Sequence, residues 1–213
     1  MERKYNYVVI EGNIGAGKTT LATRISEQFD ARLILEHFAD NPFLPKFYEN
    51  PDKYSFPLEL SFLASRYKQL KEELAPQDLF KSFTVADYYF MKSLVFASST
   101  LQGEEYSLYR TIFYIIYSSL PKPDIFVYLH LDVERLLYNI QKRGRDYEKT
   151  ITREYLQKIQ DSYFTFFRQN PENKYLVIDI NEIDFVANKD HYKKVIETIF
   201  SKEYPTGLNM VIL

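Results

Sequence analysis

Short apolar runs alternate along this chain with longer stretches in which apolar residues recur every three or four positions. The runs predict five strands, at Tyr5–Glu11, Arg32–Glu36, Ser82–Asp87, Ile125–Leu131 and Tyr175–Ile180. Several are apolar almost throughout, as strands covered on both faces must be. Between them, Phe56, Leu60, Leu63, Tyr67, Leu70 and Leu74 line one face of a long helix, and Tyr109, Ile112, Phe113, Ile116 and Leu120 line another. Further helices are expected at Lys18–Asp30, from an N-capping Asp132 to about Arg143, at Arg153–Arg168 and at Asp190–Phe200, with Pro121, Pro123 and Pro171 in turns. The pattern assigns no element to residues 203–213. Strands alternating with helices predict an α/β fold with a five-stranded parallel sheet flanked by helices.

No linker, repeat or charge block divides the 213 residues, a length suited to one domain, residues 1–213. Lysines and arginines number 27 against 29 acids. That balance argues against a nucleic-acid or membrane-surface partner, which a cationic face would attract. With no cysteine, disulfides, thiolate metal sites and catalytic thiols are excluded. No apolar run approaches the roughly 18 residues of a membrane span, and the opening Met1-Glu2-Arg3-Lys4 lacks a signal-peptide core, so a cytoplasmic chain is expected. Tyr (19) and Phe (17) are abundant, which suits a packed core, a ring-stacking site, or both.

The strongest chemical signal is Gly12-Asn13-Ile14-Gly15-Ala16-Gly17-Lys18-Thr19, with Thr20 following, which fits the G-x-x-x-x-G-K-[ST] phosphate loop. It sits between an apolar strand and a helix, the context that its mechanism requires. Glycines let successive N–H groups turn toward phosphate oxygens, and the helix N-terminus adds partial positive charge. Lys18 then pairs with the β and γ phosphates of ATP, and the Thr19 hydroxyl ligates Mg²⁺. An ordinary glycine-rich turn is the alternative.

A GTPase reading fails because Asn188-Lys189-Asp190 places the acid one position too early, and an ABC-type ATPase needs a longer chain with its own signature. A small-molecule kinase fits better. Its arginine-bearing lid is legible in Lys142-Arg143-Gly144-Arg145-Asp146, where mobile guanidinium groups can meet the charge of phosphoryl transfer. A solvated basic helix end would look the same. The lid is expected over about 143–152.

Taken in order, the residues from Tyr7 to about Phe200 resemble the deoxynucleoside kinases. The resemblance is carried by the phosphate loop through Thr20, Glu36, Tyr48, Tyr54-Ser55-Phe56-Pro57-Leu58-Glu59, Ser65-Arg66-Tyr67-Lys68-Gln69-Leu70 and the segment from Lys142 to Glu148. It implies transfer of the ATP γ-phosphoryl group to a deoxynucleoside 5′-hydroxyl in nucleotide salvage, and a homodimer built on the two long helices. It makes Glu36 the general base, Tyr48 and Glu148 the grip on the 3′-hydroxyl, Arg143 and Arg145 the lid arginines, and Asp87 the acid that assists the metal.

Two positions depart from the family pattern. After the third predicted strand the family carries an acid followed by arginine, whereas here Tyr88 follows Asp87; Arg66 is the nearest other candidate for that charge. At Glu59 relatives carry glutamine. A carboxylate only accepts hydrogen bonds, and guanine offers two adjacent donors, N1–H and the 2-amino group, so a purine, deoxyguanosine first, is the expected substrate unless Glu59 faces solvent. The alternatives are a thymidylate kinase-like enzyme and a nucleotide-binding regulatory protein without turnover. His37, His130 and His191 are too scattered for a metal site.

Overall fold

The computed structural model describes residues 4–37, 41–74 and 81–213; the opening residues Met1, Glu2 and Arg3 lie outside them. Strand β1 (Tyr7–Gly12) is followed by α1 (Lys18–Phe29), β2 (Arg32–Ile34), α2 (Leu44–Glu49) and α3 (Pro51–Leu74). Then come β3 (Thr84–Ala86), α4 (Met91–Thr100), α5 (Gly103–Tyr117), β4 (Ile125–His130) and α6 (Val133–Arg143). A 3-10 turn at Asp146–Glu148 leads to α7 (Arg153–Gln169), β5 (Lys174–Asp179), α8 (Lys189–Phe200) and β6 (Gly207–Ile212). Every pairing is parallel, in the order β2-β3-β1-β4-β5-β6.

The sheet therefore has six strands among the described residues, not the five expected. The sixth is the unassigned tail, paired with β5 from Lys174↔Gly207 to Asp179↔Ile212. Its period-2 pattern is inverted relative to an ordinary edge strand. Leu208, Met210 and Ile212 are exposed, while Gly207, Asn209 and Val211 face the partly covered side. Patterning that seeks apolar residues on the covered face passes over such a strand.

Alternate residues of each strand feed opposite cores, as the pleat demands. Val8 and Ile10 of β1 pack with α1, α6 and α8. Tyr7 and Val9 pack with α3, α4, α5 and α7. The second core takes much of the aromatic surplus, with Phe90 stacked on Phe113 (centroids 5.1 Å apart) and Phe167 against Tyr175 (4.3 Å).

The long helix α3 begins at Pro51 and continues through Pro57. Its buried side is Ser55, Leu58, Glu59, Leu63, Arg66 and Leu70, whereas Leu60, expected on the packed stripe, is exposed. Spacings of three and four thus put two charged residues, Glu59 and Arg66, on the helix face that turns inward. The carboxyl ends of β1, β2 and β3 deliver Gly12, Glu36 and Asp87 to one edge of the sheet, where ligands of open α/β sheets bind.

Candidate active site

The loop after β1 curls tightly. Gly15 and Gly17 hold φ of 85° and 86°, and a Cβ on either would stand 2.9 Å from Leu136 O or from Phe185 Cζ, so only glycine fits. The Asn13 side chain anchors the loop, donating from Nδ2 to Leu156 O (2.7 Å) and accepting from the Ile14 N–H at 2.8 Å. Asn139 Nδ2 donates to Gly15 O (2.9 Å). Lys18 Nζ rests on the Asn13 carbonyl at 2.9 Å. Burial, and next the charge of Lys92, hold this ammonium down to about 8, still cationic at neutral pH. A cleft opens beside the loop, lined by Gly15 to Thr20, by α6 and by residues 183–187.

A second cleft adjoins it, and Gly15, Lys18, Thr19, Arg143 and Arg145 line both. At its floor Asp87 joins two elements: Oδ2 accepts from the Thr19 hydroxyl (2.5 Å) and Oδ1 from the Glu36 N–H (2.8 Å). Glu36 itself is clamped. Its Oε1 accepts from Arg66 Nε at 2.8 Å and lies 2.7 Å from Arg66 Nη2, and its Oε2 pairs with Lys92 Nζ. Burial alone would raise this carboxyl, but Lys92 and Arg66 outweigh it and hold it down to about 2. Beneath the loop the fully buried Glu11 accepts from the Tyr89 N–H (2.9 Å) and the Tyr163 hydroxyl (2.8 Å). Burial pushes Glu11 up to about 7 against the pull of Lys92 and Lys18.

The far wall of this cleft is made by Phe47, Tyr48, Phe62, Phe96, Tyr155 and Glu59. Glu59 does not face solvent: it is 2% exposed. Its Oε1 accepts from the Thr100 hydroxyl (2.8 Å), while Oε2 is buried with no hydrogen-bond partner among the described residues. Burial raises this carboxyl to about 7. At the mouth, Glu148 is gripped by Arg143 (2.5 Å) and Arg145 (3.4 Å) across the αL hinge of Gly144. Among the described residues no group of three or more His, Cys, Asp or Glu could hold a metal unaided. Thr19 and Asp87 nevertheless present adjacent oxygens beside the phosphate loop, which suits Mg²⁺, an ion that completes its shell with phosphates and water.

Tyr88 does not line the cleft, although the charges of Glu36, Arg66 and Asp87 reach its hydroxyl. It is fully buried in the core with Val9 and Ile34, so the position of the missing arginine holds a packing residue. Lys92 and Glu11 carry no motif signal, and only their place in the fold discloses them. Arg66 was detectable as an arginine seven residues from Glu59 and three from Leu63, on the inward side of a helix.

The raised carboxyls make stability depend on pH. Below about pH 4.5, Glu11 and Glu59 are protonated whether folded or unfolded. Between 4.5 and about 7 only the folded state keeps those protons, so raising the pH favours unfolding. The ligand-free protein should therefore be less stable at pH 8 than at pH 5, by up to roughly 3 kcal/mol from Glu59 alone, and should unfold at a lower temperature. A Glu59→Gln variant with the same pH slope would remove Glu59 as its source.

Comparison with known proteins identifies the family. Residues 8–203 match the family model described as deoxynucleoside kinase. The chain is 40% identical over 194 residues to a deoxyguanosine kinase of Bacillus subtilis strain 168, covering 89% of this chain and 93% of the relative. It is 30% identical to a deoxyguanosine kinase of Lactobacillus johnsonii over 206 residues, 92% and 91% of the two chains. A solved deoxyadenosine kinase from M. mycoides, with products dCMP and a flexible dCDP bound, superposes with a TM-score of 0.78. At 24% identity, over 92% of this chain and 100% of that one, it supports the fold. The chain belongs to the deoxynucleoside kinase family, which sets aside the thymidylate kinase-like alternative.

Proposed function

We propose that this deoxynucleoside kinase transfers the γ-phosphoryl group of ATP to the 5′-hydroxyl of a purine deoxynucleoside, deoxyguanosine foremost, within cytoplasmic nucleotide salvage. The observation that carries the reading is Glu59: a buried carboxyl with one unpartnered oxygen in the wall of the cleft that also holds Glu36. The deoxyguanosine kinase name of the 40% identical relative supports the same base.

The residues divide the work by position. Backbone N–H groups from Asn13 to Thr20 and the Lys18 ammonium receive the triphosphate. Thr19 and Asp87 would hold Mg²⁺, which neutralises phosphate charge when bound. Glu36 takes the proton of the attacking 5′-hydroxyl. Tyr48 and Glu148 hold the 3′-hydroxyl, and Arg143 and Arg145, already on Glu148, close over the phosphates as a lid about the Gly144 hinge. The chain works as one unit, residues 1–213. The exposed Leu108 and Ile115 on α5 and Leu60 on α3 support a homodimer face on the long helices.

Glu59 also predicts how the preference depends on pH. Ionised, it accepts from both guanine donors. Protonated, it has a donor and an acceptor and so resembles an amide, which suits N1 and the 6-amino group of adenine. Since the carboxyl stands at about 7 in the empty cleft, the ratio of kcat/KM for deoxyguanosine over deoxyadenosine should rise between pH 6 and 8. Glu59→Gln should shift preference toward deoxyadenosine by about one to two orders of magnitude and flatten that dependence. Steady-state kinetics on a deoxynucleoside panel test both points. Equal kcat/KM for all bases, or an unchanged ranking in the variant, would sink the role of Glu59.

A further inference from the structure

We infer that Lys92 is a catalytic residue: the cation that takes the place of the arginine absent at position 88, holding Glu36 Oε2 in the ligand-free enzyme and turning to the transferred phosphoryl group once both substrates are bound. The inference rests on the phosphorylation reaction proposed above.

With Arg66 on Oε1 and Lys92 on Oε2, Glu36 is a weak base, and withdrawal of one cation strengthens it. Oε1 is bound by Arg66, and Arg66 is fixed a second time, donating from Nη1 to the Ser93 hydroxyl at 2.9 Å. Lys92 holds the other oxygen by one hydrogen bond, with the Phe96 ring 5.5 Å from Nζ and the charges of Glu11 and Lys18 also acting on it. Arg66 is thus doubly tethered and Lys92 singly, on a flexible four-carbon stem. Of the two cations, Lys92 is the one built to leave.

Its destination is set by the charges around it. Lys92 lies in the first turn of α4, and with Lys18 of α1 it lines the cleft where the γ-phosphoryl group must meet the acceptor. Glu36 and Asp87 follow β2 and β3, Arg66 comes from α3, and Glu11 lies on β1. Lys92 and Lys18 repel each other, and an anion between them relieves that repulsion. When Lys92 turns to the phosphoryl oxygens, Oε2 is released. The acceptor O–H bond then breaks with its proton passing to Oε2, and the acceptor oxygen bonds to the γ phosphorus. The bond from that phosphorus to the bridging oxygen breaks, and its electron pair leaves with the nucleoside diphosphate. Lys92 keeps its proton throughout and acts through charge and hydrogen bonds.

The test is steady-state kinetics of wild type, Lys92→Met and Lys92→Arg on the deoxynucleoside panel from pH 5 to 9. Lys92→Met should lose roughly 10²–10³-fold in kcat with little change in KM for the deoxynucleoside. Lys92→Arg should recover at least about a tenth of wild-type kcat, because the charge is restored. A lysine needed only for folding would lower the melting temperature without splitting kcat from KM, and arginine in its place would restore no turnover that the neutral variants had lost. Should Lys92→Met fail to unfold cooperatively, Lys92→Gln, polar but uncharged, carries the same comparison. A neutral variant with kcat within about threefold of wild type overturns the inference, as does a Lys92→Arg enzyme no more active than the neutral variants. A wild type inactive on every deoxynucleoside refutes the proposed function and Lys92 with it; an active wild type with an active neutral variant refutes Lys92 alone.

Discussion

Glu36→Gln is expected to lower kcat by roughly 10²–10⁴-fold while nucleotide still binds, because the acceptor hydroxyl loses its base. The clamp makes the substitution harsher than removal of a free acid. A glutamine presents one oxygen and one NH₂, so whichever way the amide turns, either Arg66 or Lys92 meets an N–H. Breaking a buried ion pair from one side costs about 3–5 kcal/mol of stability, so the variant should melt earlier as well as react more slowly. Its kcat is best read well below its melting temperature and under saturating nucleotide. Near-normal turnover under those conditions would remove Glu36 from the mechanism.

Lys18→Ala should be the most damaging change to the phosphate loop, lowering kcat by about 10³-fold or more as the β and γ phosphates lose their shared cation. The fold should tolerate it. The Asn13 carbonyl on which Lys18 rests also accepts from the Ala16 N–H at 3.2 Å, so no backbone group is left unpaired. Thermal unfolding should stay cooperative, while the stabilisation that added ATP gives the wild type should shrink. Retained ATP stabilisation together with retained turnover would exclude Lys18 from the donor site.

The phosphate loop was legible because its chemistry demands glycines and a lysine at fixed intervals, and the expected strand and helix flank it. Elements that sequence patterning misses share one property: their burial does not follow an amphipathic rhythm. In α4, Met91, Lys92, Ser93, Leu94, Val95, Ala97 and Ser99 are all buried, so the helix has no polar face to set its period. Lys92 is hidden for the same reason, a charged residue in a segment with no visible orientation. Strands β2 and β3 are three residues each, shorter than their apolar runs suggested, because the chain beyond them turns to present Glu36 and Asp87. Glu59 could be identified as a departure from a family pattern. Its burial, its partner Thr100 and its open oxygen needed the packing of α3 against α4.

The empty cleft carries its own counter-ions. Three carboxyl groups, Glu11, Glu36 and Asp87, surround three cations, Lys18, Arg66 and Lys92. A polyphosphate entering there draws cations from carboxylates rather than from water, so part of its attraction is offset by the pairs that it separates. Bare affinity for nucleotide is thereby restrained, and binding that is equal in ground and transition states would add nothing to kcat. The same carboxylates remain beside the cations after the reaction and compete with the departing diphosphate for them. Under the proposed reaction, release of product would thus be assisted by counter-ions that the resting protein already holds.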